Sequence, residues 1–266
     1  EEGIKPILRT DVLKIEDIYN QYNYGEPSPL AIRRCLDFLI SDKNLNKFVL
    51  LIGSSTTEFE RGGNVKELPN QVPTVGYPGS DFLLVSGLAG FNQDFQTLPI
   101  GRIPTNNPVR VTAYLEKVKQ YENFANPVGV SWRKNVINLV GGKHLGEMNS
   151  FANTFQNNAT QYVTPAPYSG TVYPYLKSEI CPPANPAVGL PECHSLVASD
   201  AITKVNDGAG SMFYYGHGST ITTDHYFGYV SDNARGYVNN GKYTSLFIYG
   251  CDVNNVFRGR NEIAFT

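Results

Sequence analysis

Two short apolar runs of this 266-residue chain each close on a glycine and then a reactive side chain. Met212-Phe213-Tyr214-Tyr215 leads through Gly216 to His217, and Ser245-Leu246-Phe247-Ile248-Tyr249 leads through Gly250 to Cys251. A thiol with a reference pKa of about 8.5 is mostly protonated at neutral pH, so a nucleophilic cysteine needs a neighbouring imidazole to become a thiolate. The same imidazole can then protonate a leaving amine. Glycines on either side of His217 leave room for an extended peptide, and the N–H groups of Gly218 and Cys251 are candidates to hold a tetrahedral oxyanion. His217 and Cys251 stand 34 residues apart. That is enough for a right-handed crossover between neighbouring parallel strands, whose carboxyl ends form the usual ligand rim of an open α/β sheet.

On spacing alone, a cysteine at a strand end is more often a buried small hydrophobe than a nucleophile, and Gly-His-Gly can be an ordinary tight turn. His144, His194 and His225 compete for the role of base; each reads as a surface residue or a neighbour of the site. A zinc site from Cys193, His194 and His217 lacks recognisable ligand spacing. Cys35 lies on the apolar stripe of a helix and belongs to a core. Cys181 and Cys193 flank the Pro-rich segment Pro182 to Pro191. A bridge between them would close a ring of about 13 residues, worth roughly 3 kcal/mol on the chain-entropy model, and would imply an oxidising compartment; two free thiols in a surface insertion is the alternative.

The elements that must position these groups read as alternating helices and strands. Ile15 to Tyr22 is a strand or a helix entry. Ser28-Pro29 is an N-cap with proline at the first helical position, opening a helix to about Ser41 with Ile32, Cys35, Leu36, Leu39 and Ile40 inward. Phe48 to Ile52 reads as a buried strand, and Phe82 to Val85 and Pro99 to Ile103 as further strands. A helix from Pro108 to Tyr121 turns Val111, Leu115 and Val118 inward, and Asn126-Pro127 breaks the chain. A second α/β unit starts at Asn135 to Val140, ending in Gly141-Gly142. Met148 to Asn158 is helical, Thr164 to Leu176 extended, and Ser195 or Ser199 caps a helix stopped by Asp207-Gly208. The resulting division is 1–125 and 126–266.

Composition narrows the class. Hydrophobic residues make up 41% of the chain, which is enough for a buried core. A formal net charge of −2 offers no electrostatic footprint for nucleic acid or an anionic membrane. No apolar run reaches the roughly 18 to 20 residues of a membrane span, and Glu1-Glu2-Gly3 does not open a signal peptide.

The segment Asp207 to Ser219, a strand closing on Gly216-His217-Gly218-Ser219, resembles the histidine motif of the gingipain family of cysteine peptidases. Ser245 to Cys251 resembles that family's strand closing on the nucleophile. Asn23-Tyr24-Gly25, Ser28-Pro29, Ala31-Ile32-Arg33, Leu50 to Gly53, Ser80-Asp81-Phe82 and Ile100-Gly101-Arg102-Ile103-Pro104 follow the family's order, so the resemblance covers most of residues 15 to 257. It implies a caspase-like α/β fold of mostly parallel sheets flanked by helices, in two subdomains, and a fragment of a larger protein. It implies cleavage of peptide bonds by a Cys251–His217 dyad, at the surface or outside of Bacteroidota-type bacteria. The wording around Tyr24 to Arg33 and Gly101 to Pro104 is closer to the type IX secretion sortases, which remove C-terminal secretion signals from cargo and transfer the new carboxyl end to a lipopolysaccharide amine. Implied partners are such cargo proteins, outer-membrane components of the secretion system and lipopolysaccharide, with no nucleic acid. No cofactor is required, and a structural calcium is compatible with the family.

Two departures stand out. The family's acidic residue after the strand ending in Gly141-Gly142 is missing, leaving Glu147 as the nearest carboxylate and an auxiliary candidate. After Cys251 the family carries a glycine before an aromatic, whereas Asp252-Val253-Asn254-Asn255-Val256-Phe257 has none. Both features would also suit a catalytically silent caspase-like scaffold or partner-binding module, the alternative from a different functional class.

Overall fold

The computed structural model describes residues 9–57, 71–123, 130–177, 195–196, 199–219, 223–226, 232–253 and 255–257. The chain divides into two compact units, Glu1–Val111 with Val256–Gly259, and Thr112–Asn255 with Arg260–Thr266. The division falls inside a helix, ahead of the Asn126-Pro127 break.

In the first unit, helix α1 (Ile15–Asn23) ends at Tyr24 in the left-handed region. Helix α2 (Pro29–Leu39) starts where the Ser28 hydroxyl accepts the Leu30 N–H at 3.1 Å, as its Ser-Pro signal requires. Its apolar stripe buries Ile32, Cys35, Leu36 and Ile40, while Leu39 points outward. Strand β1 (Val49–Ile52) pairs in parallel with a later strand, β2 (Ile100–Ile103). Of β1's side chains only Leu51 is buried, so the expected buried strand is one-sided: alternate residues face α2's cluster and the others face out. Phe82–Val85, expected as a strand, is a single helical turn, α3. Four apolar residues carry no decisive period; tertiary partners decide, since Arg33 donates to the Leu83 carbonyl and Asp81 is drawn to Arg102.

Helix α4 (Pro108–Asn123) spans the division. Leu115, expected inward, is exposed.

The second unit is built on a four-stranded parallel sheet. Its strands are β3 (Asn135–Val140), β4 (Thr171–Leu176), β6 (Ser211–Tyr215) and β8 (Ser245–Tyr249), in the order β4-β3-β6-β8. Strands β5 (Ser195–Leu196) and β7 (His225–Tyr226) form a separate short parallel pair. The second unit also carries helices α5 (Leu145–Asn158) and α6 (Ser199–Asp207). Alternation sorts each strand between two layers. Ile137, Leu139, Met212 and Tyr214 pack with Ala201 and Val205 of α6. On the other face Phe151 of α5 stacks on Tyr215 with centroids 4.1 Å apart. Cross-strand rings fix the register of the edge strand: Phe213 stacks on Phe247, and Tyr215 meets Tyr249 edge-on, both at 4.9 Å.

Candidate active site

After β3 the chain forms β4 on one side and then crosses to β6 on the other, so the sheet's topological switch point lies between the carboxyl ends of β3 and β6. Such a crevice is where open α/β sheets bind ligands. The residues that leave these strands are the ones the sequence singles out. Strands β6 and β8 run in parallel with Tyr215 opposite Tyr249, and Gly216 N–H continues the ladder to Tyr249 O at 3.1 Å. One step further Gly216 stands level with Gly250, and His217 and Cys251 are the next residues of the two chain segments as they leave the carboxyl ends of these neighbouring strands. Cys251 is exposed and unbridged, and the His217 side chain is 38% exposed.

Glu147 arrives from the other side of the crevice. His144 caps α5, its Nδ1 accepting the Glu147 N–H at 3.2 Å, and Glu147 Oε2 reaches back to accept the Lys143 N–H at 2.6 Å. This is a variant of the reciprocal capping box, and it holds the carboxylate in one rotamer. The other oxygen, Oε1, lies 3.0 Å from His217 Nε2. The Lys143 N–H and, after an opposing contribution from burial, the imidazole hold the Glu147 carboxyl below its ordinary range. An ionised carboxylate can only accept, so Nε2 carries the proton and Nδ1 is the ring nitrogen left with a lone pair.

Beneath these groups lies a residue that sequence reasoning missed. Asp224 is buried, and its Oδ2 accepts N–H groups from His217 at 2.7 Å and Gly142 at 2.9 Å. Its Oδ1 meets Lys177 Nζ at 2.8 Å. The Tyr214 hydroxyl accepts the Asp224 N–H at 3.0 Å and lies against the His217 carbonyl. Burial alone would raise the Asp224 pKa, but Lys177 and the two N–H donors outweigh it and the net displacement is downward. Gly141 and Gly216 are required here by close approach: a Cβ would fall 2.2 Å and 2.7 Å from Asp224 Oδ2, respectively. The signal that could have found Asp224 was weak, a lone acid beside a histidine in a polar loop.

His144 is a helix cap. His225, expected at the surface or beside the site, is wholly buried: its Nε2 donates to Val140 O at 2.9 Å, and burial depresses its pKa. Cys35 is a buried core thiol whose pKa burial raises. Cys181, Cys193 and His194 lie outside the described residues. Immediately after Cys251, Asp252 occupies the left-handed region at φ 59°, where the family's missing glycine would be at ease, and its Oδ1 accepts from Asn255 Nδ2 at 2.7 Å. Among the described residues no group of three or more His, Cys, Asp or Glu is arranged to hold a metal. No helix among them is long and apolar enough to cross a membrane.

The crystal structure of the Arg-specific cysteine proteinase gingipain R superposes with a TM-score of 0.59 at 17% identity, covering 94% of this chain and 54% of that one. The complex of Porphyromonas gingivalis RgpB pro- and mature domains matches with the same TM-score at 18% identity, covering 97% and 52%. The chain therefore spans about half the length of these solved structures. No curated protein matches it. Residues 5–265 match the model of Peptidase family C25. With nearly the whole chain matched and a caspase-like α/β fold shared with gingipain R, this chain belongs to peptidase family C25.

Proposed function

We propose that this chain carries the reacting groups of a cysteine endopeptidase, with Cys251 as nucleophile, His217 as base and then acid, and Glu147 orienting the imidazole. What supports the reading is that His217 and Cys251 leave the carboxyl ends of neighbouring parallel strands, with Glu147 Oε1 3.0 Å from His217 Nε2. Nδ1 takes the thiol proton, and the thiolate attacks the scissile carbonyl. The resulting oxyanion is received by the N–H groups of Gly218 and Cys251. The imidazolium, stabilised by Glu147, gives its proton to the departing amine, leaving an acyl-enzyme on Cys251. Water resolves the acyl-enzyme as hydrolysis; an amine resolves it as transfer. The finer reading is that the substrates are secreted proteins bearing C-terminal type IX signals, acted on at the outer-membrane surface, with a lipopolysaccharide amine as acceptor. It rests on the motif wording around Tyr24 to Arg33 and Gly101 to Pro104.

The test is kinetic. Cys251→Ala and His217→Ala should each lower kcat/KM for peptide cleavage by about four orders of magnitude or more, and the double variant should be scarcely worse than either. Cells carrying either substitution should accumulate cargo with its C-terminal signal attached. Cleavage retained by purified Cys251→Ala, with contaminating proteases excluded, overturns the nucleophile. Normal cargo processing by both variants, alongside lost peptidase activity, overturns the sorting role alone.

A further inference from the structure

We infer that Asp224 is the positioning residue of this site, a single buried carboxylate that sets His217 and Glu147 relative to each other. The inference rests on the peptidase reading above. Three adjacent strands, β4, β3 and β6, deliver one group each to this carboxylate: Lys177 follows β4, Gly142 follows β3 and His217 follows β6. Backbone N–H groups leaving a sheet lose their ladder partners and need an acceptor. Here the Gly142 and His217 N–H groups converge on the same oxygen, Oδ2. One contact fixes the backbone of His217 itself. The other fixes Gly142, whose neighbour Lys143 supplies the N–H that holds Glu147 Oε2. The two partners of the imidazole–carboxylate contact are thus tied to one atom through one and two residues of backbone, respectively.

The surroundings fit a device that must stay ionised and immobile. The groups facing Asp224 are Lys177 after β4, Tyr214 of β6 and His225 of β7, the last turned to Val140 O. Gly141 and Gly216 leave no space for Cβ atoms beside Oδ2, so the carboxylate sits against bare backbone. A glutamate would be a methylene too long for this gap. An asparagine of the same shape keeps one oxygen for the two N–H groups but turns its amide N–H toward the Lys177 ammonium, a clash between donors.

That clash makes the proposal testable in the full-length protein, by active-site titration with a thiol-directed peptidyl inhibitor followed by kcat and KM on the titrated enzyme. Asp224→Ala should lower kcat about 100-fold with little change in KM, the cost expected for a misplacement of about 1 Å. It should also slow alkylation of Cys251 by iodoacetamide at neutral pH to the rate seen in His217→Ala. Asp224→Asn should lose about 10-fold in kcat, and adding Lys177→Met should restore most of it by removing the donor clash while the retained oxygen still holds both N–H groups, a lesser misplacement repaired. A merely structural aspartate would make kcat follow the thermal midpoint, with no such recovery. Should Asp224→Ala fail to fold, the asparagine pair decides: an Asp224→Asn kcat equal to wild type, or no recovery on adding Lys177→Met, overturns the inference. Wild-type peptidase activity with Asp224→Ala unaffected in kcat and alkylation overturns positioning and leaves the peptidase reading standing. A wild-type protein that cleaves no peptide, and whose Cys251 alkylates no faster than in His217→Ala, overturns both.

Discussion

Each unit places a charged pair near the carboxyl ends of parallel strands, and the two pairs are finished differently. In the first unit Arg102 of β2 grips Asp81 with two bonds, Nε to Oδ2 at 2.6 Å and Nη2 to Oδ1 at 2.8 Å. Its Nη1 donates to the carbonyls of Gly53 and Val72, Thr74 donates to Asp81, and the guanidinium lies over the Phe257 ring. Arg102 is only 5% exposed: the pair is closed. In the second unit the buried carboxylate spends its oxygens on backbone N–H groups and Lys177, while the side chain of His217, whose N–H it accepts, and Cys251 remain open to solvent. One layout of charge at strand ends thus serves cohesion where the pair is closed inside the fold and, on the proposed reading, chemistry where His217 and the thiol remain accessible. On the proposed reading the difference also separates the family-like motifs: those around Asp81 and Arg102 hold a unit together, whereas those around His217 and Cys251 would carry the reaction.

The largest stability effect should come from opening the closed pair. Arg102→Met leaves the Asp81 carboxylate buried without its partner and should cost about 3–5 kcal/mol. Denaturant titration of the full-length protein checks it, and Asp81→Leu combined with Arg102→Met should be less destabilised than Arg102→Met alone, because the orphaned charge is gone. By contrast His217→Ala should change stability by about 1 kcal/mol or less while removing activity. If Arg102→Met were as mild as His217→Ala, the distinction between closed and open pairs would collapse.

Acid should separate two groups in the second unit. The depressed folded pKa of His225 means that the unfolded chain takes up its proton first, so stability falls as pH drops below the unfolded histidine value, about 6.5. Asp224 is depressed as an acid. Its contribution is complete above the unfolded value, about 3.9, and is lost as pH falls through the folded one. Thermal midpoints measured from pH 7.5 downward should therefore decline in two stages. His225→Gln should flatten the upper stage and leave the lower one, and Asp224→Asn should do the reverse; a single stage below pH 4 in the wild type would show that His225 titrates as an exposed residue does.

The strand ends of the candidate site were legible because they are marked by apolar runs closing on glycine. The neighbouring parallel strands that end before His217 and Cys251 follow from that pattern, while the pairing of the two as a dyad rests on the family resemblance, and Ser28-Pro29 announces α2 by local hydrogen-bond chemistry. What escaped are contacts between partners distant in sequence, including the one made by Glu147, itself an auxiliary candidate from the sequence. Glu147 is separated from His217 by 70 residues and meets it only because β3 and β6 are neighbours with α5 rising from the end of β3. Asp224 and Lys177 stand 47 residues apart, with no local signature. His225 looked like a polar-loop residue because nothing in its neighbours reveals that the Val140 carbonyl awaits it. Phe82–Val85 was misread for the same reason: four apolar residues suit a strand or a turn equally, and Arg33 and Arg102 decide the matter from elsewhere.

The smallest predicted effect bears on the open side, at the turn after the nucleophile. Asp252 adopts a left-handed backbone that costs an ordinary L-residue roughly 1–2 kcal/mol and an aspartate less, since its short polar side chain bonds locally. Here that local bond is the one from Asn255. Asp252→Gly would relieve the backbone cost, forfeit the Asn255 bond and widen the unfolded ensemble, three small effects of mixed sign whose sum should lie within about 1 kcal/mol of zero. Asp252→Ala keeps the backbone cost and loses the bond, so it should be the worse of the two by roughly 1 kcal/mol. Chemical denaturation of both variants measures that ordering. The same turn sets the direction of the Cys251 N–H, so Asp252→Gly should leave peptide cleavage within about threefold of wild type if glycine is merely the family's alternative route to the same backbone. An Asp252→Gly variant more stable than wild type but tenfold slower would mean that the aspartate holds the oxyanion donor in place, and would move this residue from the architecture of the turn into the working side of the comparison.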